Sequence, residues 1–113
     1  MTYNQDVVIV ETQIFTRQLL PILSDDKYRE LQEELLNRPD AGKIISGSGG
    51  LRKLRWAAKG HGKRGGIRII YYWFKEQNLI LLLYVYPKNA QDNLTLIQLK
   101  KLKKIIEEEY HER

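Results

Sequence analysis

The stretch IRIIYYWFKEQNLILLLYVY, residues 67–86, decides the fold of this 113-residue chain. Two runs rich in β-branched, aromatic and leucine residues, 67–74 and 79–86, flank the polar residues 76–78. Apolar runs of this length and composition are typical of β-strands, and a short polar connection between them indicates a hairpin. We therefore expect two strong antiparallel strands here.

Further strands and helices are predicted on both sides of the hairpin. Residues 7–10 and 51–57 have the composition of strands. A short helix is expected to end at Pro21, a second to run from Ser24 to about residue 37, and a third to begin near residues 92–95. The order β-α-α-β-β-β-α predicts one small α+β domain over residues 1–113. Its twisted, mostly antiparallel sheet of about four strands would have helices packed on one face and a C-terminal helix.

Composition excludes several classes of protein. The chain has no cysteine, which excludes disulfide scaffolds, zinc ribbons, iron–sulfur sites and thiol catalysis. The N-terminal residues lack the pattern of a signal peptide, and the longest apolar runs are far shorter than the roughly 18–20 residues that span a bilayer. We therefore expect a cytoplasmic protein with no membrane partner.

The positive charge is concentrated in one part of the chain. The net charge is +5, but residues 41–75 hold nine cations and no acid, so the remainder is mildly acidic. The nine are Lys43, Arg52, Lys53, Arg55, Lys59, Lys63, Arg64, Arg68 and Lys75. A block of one sign in an otherwise acidic chain favours a surface that binds a polyanion. The alternative is a flexible basic loop with no particular partner.

Strand alternation predicts which of these cations share a face. Lys53 and Arg55 alternate with Leu54 and Trp56, so helices that cover the apolar pair leave the basic pair on the open side of the sheet. The surface predicted from these parities contains Lys53, Arg55, Arg68, Tyr86 and Lys88. The glycine-rich loop KGHGKRGG, residues 59–66, would lean over it. Cations that bind phosphates beside aromatic rings that stack on bases are typical of single-stranded RNA sites.

Two segments carry a family resemblance. GSGGLRKLRWAAKGHGKRGGIRIIYYWF, residues 47–74, and YVYPKNAQDNLT, residues 84–95, resemble the RelE/HigB toxins of bacterial type II toxin–antitoxin systems, and the HigB branch in particular. The resemblance implies a small microbial-RNase-like domain that enters the ribosomal A site, contacts 16S rRNA and cleaves translated mRNA. It also implies a cognate antitoxin that neutralises the toxin, with operator DNA bound only through their complex.

The resemblance also implies site residues. The family's paired basic positions on the second strand match Lys53 and Arg55, its arginine at the start of the third strand matches Arg68, and its basic residue after the fourth strand matches Lys88. Two positions depart from the best-studied branch, since Asn89 stands in place of an arginine and Thr95 in place of a tyrosine. A HigB-type variation of the site is therefore expected.

RNA cleavage by attack of the 2′-OH on the adjacent phosphorus requires a base, an acid and stabilisation of charge at the phosphate. The only histidines, His61 and His111, do not lie on the strands that carry the cations, so the cations themselves must act. Like-charge repulsion would lower the pKa of Lys53 and suit it as the general base.

The other roles follow from the chemistry of the side chains. Arg55 and Arg68 would stabilise the phosphate, and Lys88 or Tyr86 would protonate the leaving 5′-oxygen. Further RNA contacts are expected from Lys59, Lys63, Arg64, Tyr86 and Asn89. The acidic pairs have the positions of helix caps and solvated helix faces, and no metal or cofactor is expected.

Three functions remain open on the sequence alone. The first is a ribosome-dependent mRNA endonuclease toxin. The second is a non-enzymatic protein that binds RNA or the ribosome through the same basic sheet. The third is an inactive toxin homologue that acts through antitoxin pairing and operator binding.

Overall fold

The computed structural model describes residues 7–57 and 66–109. In chain order the elements of these ranges are β1 (Val8–Glu11), α1 (Gln13–Leu19), α2 (Asp25–Asn37), β2 (Lys43–Ile44), β3 (Arg52–Ala57), β4 (Gly66–Phe74), β5 (Leu79–Pro87) and α3 (Leu96–Glu109). The strands form a single sheet in the order β1-β5-β4-β3-β2. The β1–β5 pair is parallel and the other pairs are antiparallel. The predicted α+β class and the mostly antiparallel sheet are confirmed.

The hairpin β4–β5 lies at the centre of the sheet, and its strands are apolar on both faces. Its connecting turn places Asn78 at a φ of 53°, a left-handed conformation that asparagine tolerates. The register shifts between Ile70 and Tyr71, so that Ile70 pairs with Tyr84 while Tyr71 pairs with Leu82. This β-bulge leaves Leu83 as the extra residue of β5, and it turns Leu83 and Tyr84 to the same side of the sheet.

The helices begin where the sequence places their caps. The Ser24 hydroxyl accepts a hydrogen bond from the Lys27 N–H at the start of α2, as predicted. Helix α3 begins with a capping box, in which the Thr95 hydroxyl accepts from the Gln98 N–H and the Gln98 side chain accepts from the Thr95 N–H. Its first residue, Leu96, lies just beyond the range expected for its start.

The prediction that helices cover one face of the sheet is wrong for the C-terminal helix. Helices α1 and α2 bury Phe15, Leu31 and Leu35 against one face. Helix α3 buries Leu102 on the opposite face, with Ile70 and other residues of the hairpin. The physical reason is that β4 and β5 carry large apolar side chains on both faces, so both faces need a cover.

The strand count is also corrected, from about four to five. Strand β2 has only two residues, Lys43 and Ile44, which pair with Lys53 and Arg52 of β3. Two residues are too few to show a repeated alternation of side chains, so the sequence carries no signal for this strand. Hydrogen bonds from the rest of the fold hold it in place. The buried Tyr71 hydroxyl donates to the Pro39 carbonyl at 2.7 Å and accepts from the Gly42 N–H at 2.8 Å.

The Tyr71 hydroxyl is therefore expected to stabilise the fold. Tyr71→Phe leaves a buried carbonyl and a buried N–H without this partner, and we expect it to lower the free energy of unfolding by about 1–3 kcal/mol. Tyr72→Phe is the matched control, because the Tyr72 ring packs against Phe74 and the same atom is removed from a partly exposed position. Urea denaturation of both variants measures the difference. Equal stability losses would contradict this role.

Candidate functional site

The strand register brings three of the predicted site residues into one row. Arg55 of β3 is paired with Arg68 of β4, which is in turn paired with Tyr86 of β5. A pocket of about 330 Å³ opens beside this row. It is lined by Arg55, Trp56, Ala57, Gly66, Arg68 and Lys88. The predicted clustering of Arg55, Arg68, Tyr86 and Lys88 is thus present in the structure.

Arg68 is the buried member of the cluster, with a side chain that is only 8% exposed. Its Nη2 atom lies 3.1 Å from Oδ1 of Asp92, and Nη1 reaches the Ile67 carbonyl at 3.5 Å. Its Nε atom is buried and has no hydrogen-bond partner among the residues that the structure describes. Burial of a guanidinium is unfavourable unless anions or acceptors satisfy it. Arg68 is therefore a fixed cation with unused donor capacity.

Lys53 extends the cluster along β3. Its Nζ donates a hydrogen bond to Oδ1 of Asn93 at 2.7 Å. Partial burial, and then the charge of Arg55, lower the pKa of Lys53 below its ordinary value, whereas the Asp92 carboxylate opposes the shift. The direction agrees with the sequence-based expectation, but burial is the largest single cause, ahead of repulsion by Arg55. A lysine with a lowered pKa is a better proton acceptor near neutral pH.

Tyr86 is buried beside Arg68. Its hydroxyl donates to the Asp92 carbonyl at 3.4 Å, and burial raises its pKa above the ordinary value. The phenol is protonated at neutral pH, although the raised pKa makes it a weaker proton donor than an exposed tyrosine.

Lys88 and Asn89 occupy the turn that follows β5. The Ala90 N–H donates to the Pro87 carbonyl across this turn, and the Lys88 N–H donates to the Gly66 carbonyl at the rim of the pocket. Both side chains are exposed. Lys88 can thus reach a ligand in the pocket, and Asn89 offers a neutral contact in place of a charged one.

Two residues next to the cations were missed in the sequence-based prediction. Asp92 and Asn93 belong to the β5–α3 segment, residues 88–95, and contact Arg68 and Lys53 respectively. The Gln98 side chain holds this segment by donating to the Tyr84 hydroxyl at 2.9 Å. The segment has no periodic pattern, so no sequence rule connects it to strands β3 and β4. The only indication in the sequence was a single acidic residue, Asp92, which lies three positions after the Lys88–Asn89 pair.

Part of the predicted site cannot be compared with the structure. Lys59, Lys63, Arg64 and His61 fall in residues 58–65, and His111 follows residue 109, so all five lie outside the described residues. Within residues 7–57 and 66–109, no three His, Asp or Glu side chains are grouped as a metal site. No helix in those ranges is long and apolar enough to cross a bilayer.

Fold and site together define a small α+β domain that presents a cationic cluster around one buried arginine. The chain belongs to the RelE toxin family, because the family model described as "RelE toxin of RelE / RelB toxin-antitoxin system" matches residues 22–111. A mutant of E. coli toxin RelE in the free state has a similar fold, with a TM-score of 0.55 and 16% sequence identity over 87% of this chain and 98% of that one. A mutant of the same toxin in complex with an antitoxin RelBc peptide matches with a TM-score of 0.50 and 12% identity, over 80% of this chain and 100% of that one.

The surroundings of Lys53 lead to a testable prediction. The ¹³Cε resonance of Lys53, assigned by its loss in Lys53→Arg, should titrate below 10.5. Arg55→Gln should raise the pKa of Lys53 because it removes a like charge, and Asp92→Asn should lower it because it removes an attractive one. Glu76→Gln, in the distant β4–β5 turn, is the control and should leave it unchanged. A Lys53 pKa at or above 10.5 would contradict the described environment.

Proposed function

We propose that this protein is the toxin of a type II toxin–antitoxin system and acts as a ribosome-dependent mRNA endonuclease. The observation that supports the proposal best is Arg68, a buried guanidinium beside an open pocket, whose Nε has no hydrogen-bond partner within residues 7–57 and 66–109. A fixed cation of this kind is suited to a phosphate whose charge increases during the reaction. Membership in the RelE toxin family agrees with this assignment.

The proposed reaction is metal-independent attack of a ribose 2′-OH on the adjacent phosphorus. Lys53 takes the proton from the 2′-OH, and its lowered pKa makes this transfer easier. Arg68, assisted by the exposed Arg55, stabilises the pentavalent phosphate. The leaving 5′-oxygen receives its proton from Tyr86 or Lys88. Because Tyr86 is buried, Lys88 at the pocket rim has easier access to substrate.

The substrate is mRNA in the ribosomal A site, and the ribosome supplies much of its orientation. Contacts with 16S rRNA and mRNA are assigned to Asn89 and to the loop cations Lys59, Lys63 and Arg64. The partner that neutralises the toxin is a cognate antitoxin protein, by analogy with the E. coli toxin that is bound to an antitoxin peptide. Operator DNA is bound only through the antitoxin complex, and the protein acts in the cytoplasm.

The site follows a HigB-type variation of the family's chemistry. Where the best-studied branch carries a tyrosine, Thr95 caps helix α3 through its hydroxyl, a structural role. Asn89 has no charge with which to contact a phosphate. The proposed reaction therefore depends on Lys53 and Arg68 and uses neither of these two positions.

Arg68→Ala tests the proposal. We expect cleavage of a translated reporter mRNA by purified protein and ribosomes to fall by about a hundredfold or more, because a preorganised charge at the phosphate is lost. Arg17→Ala on α1, which removes the same charge from an exposed position, should cleave like the unaltered protein. Primer extension on translated and untranslated messages gives the readout. If the unaltered protein inhibits translation of the reporter without cleaving it, a protein that only binds the ribosome is favoured. If it neither inhibits translation nor cleaves the message, an inactive homologue is favoured.

The chemistry of the cut ends tests the mechanism separately. Attack by the 2′-OH leaves a 2′,3′-cyclic phosphate on one fragment and a free 5′-hydroxyl on the other. Polynucleotide kinase should therefore label the 5′ ends of the downstream fragments without prior phosphatase treatment. Fragments with 5′-phosphates would contradict the proposed role of the 2′-OH.

A further inference from the structure

The proposed general base, Lys53, and the proposed phosphate-binding cation, Arg68, already contact two adjacent residues of the β5–α3 segment. Asp92 places a carboxylate oxygen 3.1 Å from Nη2 of Arg68. The next residue, Asn93, places its amide oxygen 2.7 Å from Nζ of Lys53. The β5–α3 segment thus supplies one oxygen atom to each of the two cations. A bound RNA would have to replace these oxygens with oxygens of its own phosphate and ribose groups.

The Arg68–Asp92 ion pair is unequal in burial and in geometry. The Arg68 side chain is 8% exposed and the Asp92 side chain is 58% exposed. The carboxylate makes a single contact with the guanidinium, whose Nε has no partner among the described residues. A phosphate can accept two parallel hydrogen bonds from such a fork. Exchange of Asp92 for a phosphate would therefore add a contact to Arg68 and return a carboxylate to water.

The backbone of the segment is anchored independently of this carboxylate. The Asp92 carbonyl accepts from the Tyr86 hydroxyl of β5 at 3.4 Å. The Gln91 side chain donates to the Asn93 carbonyl at 2.9 Å and to Oε1 of Gln98 in α3 at 2.8 Å. Rotation of the Asp92 side chain toward solvent leaves these hydrogen bonds in place.

We propose that the Asp92 carboxylate is an internal stand-in for an RNA phosphate, which neutralises Arg68 in the free protein and rotates away when substrate binds. This inference rests on the proposed function, because RNA phosphate is the competitor. It makes Asp92 a residue that sets the affinity for RNA by acting through Arg68. If Asp92 instead held Arg68 in its active orientation, its removal would weaken binding.

The test uses a fluorescent, fully 2′-O-methylated single-stranded oligoribonucleotide, which the 2′-OH reaction cannot cleave. Fluorescence anisotropy compares the unaltered chain with Asp92→Asn, and we expect the variant to bind about three- to tenfold more tightly. Glu76→Gln is the charge-matched control beyond the far end of β4 and should change affinity by less than about twofold. Asp92→Glu, which keeps the carboxylate, should bind like the unaltered chain.

A double-mutant cycle shows whether Asp92 acts through Arg68. In an Arg68→Ala background, the gain from Asp92→Asn should fall to the level of the Glu76→Gln control. The proposal would be overturned if Asp92→Asn bound RNA no more tightly than the unaltered chain, or if its gain in affinity were the same in the Arg68→Ala background. It would also be overturned if no variant bound the oligonucleotide.

A second measurement needs no neutral variant. The carboxyl ¹³C resonance of Asp92 in the unaltered chain, assigned by its loss in Asp92→Glu, should move toward that of a solvated aspartate as the oligonucleotide is added. An unchanged resonance in the RNA-bound protein would overturn the proposal even if Asp92→Asn failed to fold.

The outcome is distinguishable from that of the cleavage experiment. If Asp92→Asn binds RNA more tightly in an Arg68-dependent way but no message is cleaved, the role of Asp92 is supported and the nuclease function is rejected. Cleavage of translated messages without tighter binding by Asp92→Asn would do the reverse.

Discussion

The candidate site depends on one physical requirement, which is that the buried guanidinium of Arg68 must have acceptors for its charge. Arg68 lies in a strand whose neighbours Ile67, Ile69 and Ile70 are core residues. An arginine at such a position lowers stability unless acceptors surround it, and removal of a single partner leaves a charge uncompensated. Among the described residues, the acceptors at the Arg68 guanidinium are the Asp92 carboxylate, which is 58% exposed, and the Ile67 carbonyl. Arg68 is thus a buried cation with few acceptors, and it contributes to the lining of an open pocket.

The hairpin that carries Arg68 also determines where the other site residues lie. Because β4 and β5 are apolar on both faces, helices cover both, and α3 packs on the face to which Arg68 belongs by parity. The bulge at Leu83 changes the alternation within β5, so that Tyr84 and Tyr86 share the face of α3. Tyr84 then contacts Gln98, the residue that also caps α3. Core packing and the placement of the β5–α3 segment are therefore parts of one arrangement.

Local patterns predict most of this structure, and long-range contacts account for the rest. Strand alternation was sufficient to place Lys53 and Arg55 together, and the Ser24 cap was visible because its hydrogen bond spans only three residues. The pairing of Asp92 with Arg68 joins residues 24 positions apart, and no periodic signal encodes it. The sequence-based prediction did not place helix α3 on the second face of the hairpin, for a different reason. A run such as Leu79–Leu83 is apolar throughout. Its sequence therefore does not indicate whether helices cover one face of the strand or both.

A structure of the ribosome-bound protein, with a translated mRNA that carries a 2′-O-methyl group at the cleavage position, tests the central claim most directly. The account predicts a phosphate within hydrogen-bond distance of Arg68, with its oxygens on Nε and Nη2, Lys53 beside the modified ribose, and the Asp92 carboxylate turned into solvent. An Arg68 guanidinium still paired with Asp92, with the mRNA phosphates bound elsewhere on the domain, would contradict it.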